Sequence, residues 1–126
     1  ALQALWKPFD PMAIPGLVQA GNTVFVDVTA DWCITCQVNK GVVLQRDEVL
    51  KRLQGKSVIA MQADWTRPND AIANYLAGFG RFGIPFNVVY GPQAPGGIML
   101  PELLTTSAVM QGFDGAASPA ALANRK

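Results

Sequence analysis

Six consecutive residues, Val24-Phe25-Val26-Asp27-Val28-Thr29, constrain this chain more than any other segment. They are rich in β-branched side chains and lack strict alternation, the pattern of a central strand buried on both faces, as in parallel sheets. Four residues on, Cys33 to Lys40 favours a helix, with Ile34 and Val38 four apart and Gly41 interrupting. A buried strand running into a helix points to an α/β sandwich.

The rest of the chain agrees with that class. Residues 1–21 hold Trp6, three prolines and a short apolar stretch from Met12 to Ala20, read as an irregular lead-in with one short helix. Asp47 to Gln54 places Val49, Leu50 and Leu53 on one helical face before Gly55. Ser57 to Asp64 reads as a second apolar strand. After Pro68-Asn69-Asp70, the residues Ile72, Tyr75, Leu76 and Phe79 repeat at helical spacing. Phe86 to Tyr90 and Gly97 to Leu100 read as short strands joined by a loop over Gly91 to Gly96. Thr105 or Thr106 caps a last helix running through Gln111, and from Gly115 the Ala, Gly, Ser and Pro content predicts fraying. The expected organisation is one α/β domain, a mixed sheet flanked by helices, over residues 22–113, with a tail over 114–126.

Composition narrows the chemistry. Half of the 126 residues are hydrophobic and 15% are charged, enough apolar material for one core. A net charge of +1 offers no electrostatic footing for nucleic acid or a polybasic membrane contact. There is no histidine, which removes Ser-His-Asp and Cys-His catalysis and histidine-ligated metals. No apolar run approaches the ~20 residues needed to span a bilayer. Ala1-Leu2-Gln3 lacks a basic region followed by an apolar core, so a mature or excised segment is expected rather than a signal peptide.

What remains is Cys33-Ile34-Thr35-Cys36. Two cysteines three apart at the start of a helix share a face and can be bridged with little backbone movement. The first lies near unpaired N–H groups and the positive end of the helix dipole, which favour thiolate, the attacking species in disulfide exchange. Cys36, one turn inside, is expected to be more buried and to act as the resolving thiol. A purely structural disulfide fits poorly, because so short a loop constrains the unfolded chain little. Zinc fits poorly too, with two ligands of the usual four. A two-thiolate Cu(I) site stays open as a competitor to redox work, since soft thiolates suit that ion.

Asp27 stands in the middle of the apolar strand, six residues before Cys33. An unpaired buried carboxylate costs several kcal/mol, burial raises its pKa, and a protonatable carboxyl beneath a dithiol can take the proton of Cys36 as a general base. The competing reading is a carboxylate that caps a loop or faces water. Trp32, beside Cys33, is either a platform for a partner or core, and aromatic residues are commoner in cores. Gly83-Ile84-Pro85-Phe86 places a proline at a strand opening, and by base rate alone, ~5% cis in folded proteins, its peptide bond would be trans.

Taken together, Val26-Asp27, Ala30-Asp31-Trp32-Cys33-x-x-Cys36 and the later Gly83-Ile84-Pro85 resemble the thioredoxin superfamily. Within it, the segments Thr29 to Cys36, Ala63-Asp64-Trp65-Thr66-Arg67-Pro68-Asn69 and Leu100-Pro101-Glu102-Leu103-Leu104-Thr105 resemble the C-terminal domain of DsbD-type transmembrane thiol reductases, with the ScsB branch, associated with suppression of copper sensitivity, the closer match. The resemblance spans roughly residues 22 to 113. It implies a thioredoxin-like fold in a periplasmic domain of an inner-membrane protein. Such a domain draws reducing equivalents from a membrane-embedded carrier in the same protein and passes them to periplasmic thiol partners. It implies Cys33 as nucleophile, Cys36 as resolving thiol, Asp27 as the buried carboxylate and Pro85 as a cis-proline facing the dithiol. Ile84 would offer its backbone to a partner strand, so Trp32, Ile84 and Pro85 are the candidate substrate-binding residues. No cofactor beyond the redox pair, no metal and a monomeric isolated domain are expected.

Two departures stand out. Ile34-Thr35 replaces the Gly-Pro pair of thioredoxins proper, and Ala60, aligned on Asp64, replaces the lysine they place near the buried aspartate. The alternatives are a freestanding thioredoxin-like oxidoreductase, using the same residues, and a Cu(I)-binding module that holds the ion on Cys33 and Cys36 without turnover.

Overall fold

The computed structural model describes residues 5–117. Strand β1 (Trp6–Pro8) leads through a 3-10 turn (Pro11–Ala13) into helix α1 (Ile14–Gln19) and strand β2 (Thr23–Thr29). Helix α2 (Ile34–Asn39) continues as a π turn (Lys40–Leu44), followed by α3 (Asp47–Leu53), β3 (Val58–Asp64) and α4 (Asp70–Gly78). The hairpin β4 (Phe86–Gly91) and β5 (Ala94–Met99) precedes α5 (Thr106–Ala116).

The five strands form one mixed sheet in the order β1-β3-β2-β4-β5. β2 runs parallel to β3 and antiparallel to β4, and β1 runs parallel to β3. All seven residues of β2 are buried, Asp27 among them, as its β-branched, non-alternating pattern predicts. Alternation along it splits the core. Val24, Val26 and Val28 pack with Phe86, Val88 and Tyr90 under α1 and α4, through Ile14, Val18, Ile72 and Leu76. On the other face Phe25 and Val89 pack with Val43 of the π turn, Val49 and Leu53 of α3, and Val109 and Phe113 of α5. Asp27 has the parity of Phe25, so its side chain enters this second layer.

The structure corrects four expectations. The lead-in carries a strand: β1 pairs Trp6 to Ala60 and Pro8 to Gln62, a long-range pairing that a three-residue segment with two exposed positions does not announce. Gly41 does not end the helix, because one residue of slack is absorbed as the π turn that buries Val43 and Leu44. The hairpin turn is only Pro92-Gln93, and β5 includes Pro95; an edge strand has one unpaired side, so a residue without an N–H is tolerated there.

The last helix, finally, runs beyond Gln111 to Ala116. Its small residues let it lie against the sheet. A Cβ on Gly112 would come within 2.8 Å of Leu100 Cδ2, and one on Gly91 would overlap the Ala116 carbonyl. Of the tail expected over 114–126, residues 118–126 lie outside the described residues. Among the described residues no helix is long and apolar enough to cross a membrane.

Candidate redox site

β2 ends at Thr29, and four residues of loop carry the chain to the start of α2. Cys33 is the N-cap, with extended backbone at φ −92° and ψ 101°, and its Sγ accepts the Cys36 N–H at 3.2 Å. Cys33 and Cys36 form a disulfide with a Cα–Cα distance of 5.2 Å. Both are buried, Cys33 at 6% and Cys36 at 2% exposure, and pack on Ala30 and Ile84. The loop is pinned from inside: Cys33 N–H and Gln37 Nε2 both donate to the Ala30 carbonyl, at 3.2 and 3.1 Å.

Two other segments hold the dithiol element in place. Thr66 Oγ1 accepts the Asp31 N–H at 3.0 Å, and the Trp65 N–H donates to the Thr29 carbonyl at 2.7 Å. These bonds tie the loop before Cys33 to the segment after β3. Below α2, the side chain of Asn39 donates to the Glu102 carbonyl at 2.8 Å and accepts the Leu104 N–H at 3.0 Å. The three segments that carry the resemblance are therefore one structural unit.

The peptide bond between Ile84 and Pro85 is cis, as the resemblance implies and against the base rate. Ile84 lies against the cysteine pair. Trp32 is 59% exposed, which overturns the core reading of that residue, and Ile34 and Phe82 are exposed at 80% and 83%. Trp32 and Ile34 thus flank the buried Cys33 in the chain with their large apolar side chains in water.

Asp27 is 3% exposed. Across the two ladders it stands opposite Gln62 on β3 and Asn87 on β4. Asn87 Nδ2 donates to Oδ1 at 2.7 Å and Gln62 Nε2 to Oδ2 at 3.2 Å. Burial pushes the Asp27 carboxyl above the usual carboxylate range, while the Asn87 and Gln62 bonds and the Lys40 ammonium pull it back down. The carboxylate is thus neither a loop cap nor open to water. Ala60 belongs to the apolar layer around Phe25. The cation that acts on Asp27 comes instead from Lys40, at the end of α2. Among the described residues no group of three or more Cys, Asp or Glu side chains is placed to hold a metal ion.

Sequence reasoning missed Gln62, Asn87, Lys40, Thr66 and Asn39. A signal existed for two of them, since Gln62 and Asn87 are polar residues within apolar strands. Only the pairing register shows that both meet Asp27.

A thioredoxin-like sandwich whose central strand delivers a CxxC disulfide to a helix N-terminus, opposite a cis-proline, defines a thiol–disulfide oxidoreductase. The chain belongs to the thioredoxin-like family, whose sequence profile matches residues 10–92. Among solved structures it is similar to the DsbD C-terminal domain of Neisseria meningitidis in two forms. The oxidised form shows TM-score 0.66 and 20% identity, over 82% of this chain and 90% of that one. The reduced form shows 0.62 and 22%, over 81% and 92%. A thioredoxin from Thermus thermophilus matches at TM-score 0.61 and 19% identity, over 84% and 81%. At these identities the likeness is one of fold. No curated protein matches the chain.

Proposed function

We propose that this domain relays reducing equivalents from a membrane-embedded electron carrier in the same full-length protein to periplasmic thiol partners, as a member of the ScsB branch of DsbD-type reductases. One observation carries the reading. The segments Ala63 to Asn69 and Leu100 to Thr105, whose wording resembles those reductases, are the ones bonded to the dithiol loop and helix, the first through its Thr66 and the second at Glu102 and Leu104 by Asn39 of α2. The fold likeness to a DsbD C-terminal domain solved in oxidised and reduced forms supports it.

In this reading the Cys33 thiolate attacks a sulfur of the partner disulfide. A mixed disulfide forms, and the partner's second sulfur leaves with the electron pair of the broken bond. Cys36 gives its proton to Asp27 and attacks Cys33 Sγ. The Cys33–partner bond breaks, and the partner leaves fully reduced as Cys33–Cys36 closes. The two electrons lost by the dithiol are restored by the membrane carrier. Trp32 and the Ile84 backbone at Pro85 receive the partner segment, by apolar contact and by strand-like pairing. The redox pair is the only cofactor this chemistry requires.

The test is the redox state of Cys33 and Cys36 in cells, trapped by acid and resolved by thiol-specific mass tagging. With the full-length protein the pair is expected to be largely reduced. Removing the membrane-embedded part should leave it oxidised. A pair that stays reduced without that part would assign the domain to freestanding oxidoreductases instead.

A further inference from the structure

Asp27 meets a neutral amide on each side. Asn87 and Gln62 bond its two oxygens separately, each from the residue directly across the ladder. An amide N–H binds a carboxylate more strongly than a carboxylic acid, because charge assists the bond. The two amides therefore offset part of the burial penalty on the anion without a counter-charge in contact with it. Asparagine adds a second capacity. Its buried Oδ1 has no hydrogen-bond partner among the described residues, so a half-turn of the amide presents an acceptor to a carboxyl that has gained a proton. Leucine at this position would serve neither protonation state, and lysine only the ionised one.

The charges around this group come from few elements. Lys40, at the start of the π turn, acts on both Asp27 and Asp64. Cys36 lies four residues before Lys40, on the same face of the helix, and is buried as Asp27 is. Lys7 on β1 joins Lys40 and Gln62 in lining a surface cavity of about 470 Å³. Asp64 ends β3, and the one titratable residue of β4, Tyr90, faces the opposite layer.

We propose that Asn87 and Gln62 are positioning residues for the resolving step, holding Asp27 as the anion that takes the Cys36 proton and, through Asn87, accommodating the acid that results. In that step the Cys36 S–H bond breaks and its proton passes to Asp27. The sulfur's electron pair forms the bond to Cys33, and the Cys33–partner pair leaves with the partner. The proposal rests on Asp27 being the base of the reaction above, and the experiment separates the two.

The test combines carboxyl ¹³C titration of Asp27 in the reduced protein with the pH–rate profile for reduction of a peptide disulfide. Gln62→Met and Asn87→Leu are each expected to move the Asp27 midpoint upward and to slow reduction roughly tenfold at neutral pH, with rates converging on wild type at alkaline pH, as the loss of one charge-assisted bond implies. Lys40→Met, on a half-buried side chain, should shift the midpoint in the same direction. Gln62 is also half-buried, so its variant decides the matter if Asn87→Leu fails to fold. An unmoved midpoint in Gln62→Met, with Asp27→Asn still altering the profile, overturns this proposal and leaves the base reading standing. A profile unchanged in Asp27→Asn removes the base reading itself.

Discussion

The side chain of Asn39 brackets the backbone at Leu104, donating to the carbonyl two residues before it at 2.8 Å and accepting its N–H at 3.0 Å. Asn39 is itself buried, so neither bond competes with water. This joins the helix that carries Cys36 to the segment entering α5. Asn39→Ala leaves the buried Leu104 N–H without its acceptor and should cost about 1–3 kcal/mol of stability. Urea unfolding of the oxidised protein measures it. A change near zero would mean that the segment is held by the packing of Leu100 and Leu104 alone.

In the reduced protein Cys33 should be alkylated first and Cys36 slowly. Cys33 is the N-cap between exposed Trp32 and Ile34, whereas Cys36 lies one turn inside the helix. Mass mapping after brief iodoacetamide treatment reads the order directly. Preferential labelling of Cys36 would reverse the two roles.

Cys36→Ala should accumulate a mixed disulfide between Cys33 and a partner thiol protein, because the resolving attack is gone. Non-reducing gels with a candidate periplasmic partner show the adduct. Comparable trapping by Cys33→Ala would mean that the two thiols are interchangeable.

Asp27 should make stability fall as pH rises. Its folded pKa is raised, chiefly by burial, so between the unfolded value near 3.8 and the folded value the native state binds more protons than the unfolded one. Stability is greatest below that window and declines through it, with the full penalty present above. The Asp27→Asn variant lacks this slope. Its unfolding free energy relative to wild type should therefore increase with pH from about 4 upward. Asp64, held low mainly by its bond to Thr66, contributes a slope of opposite sign in both proteins and cancels in the difference. Parallel stability curves for the two proteins would contradict the burial argument.

Sequence alone determined the parts that rest on local pattern. The apolar run from Val24 to Thr29 specified a strand buried on both faces, and the Cys33 and Cys36 spacing specified a pair able to close. Asn69 and Thr105 cap their helices through the next turn's N–H groups, at 3.0 and 3.1 Å, a contact within four residues of chain. Tertiary structure decided what depends on pairing and packing between distant segments. The β1 strand exists because β3 offers it an edge, and α5 reaches Ala116 because Gly112 fits against Leu100 and Val89. Trp32 is exposed because of where the tertiary structure sets its loop, which is held by the Asp31 N–H bond to Thr66. The amides on Asp27 are set by register, since shifting either neighbouring strand by one residue would turn Gln62 or Asn87 to the opposite face. A carboxylate's neighbours across a sheet come from residues 35 and 60 positions away, and no local pattern in the chain encodes that distance.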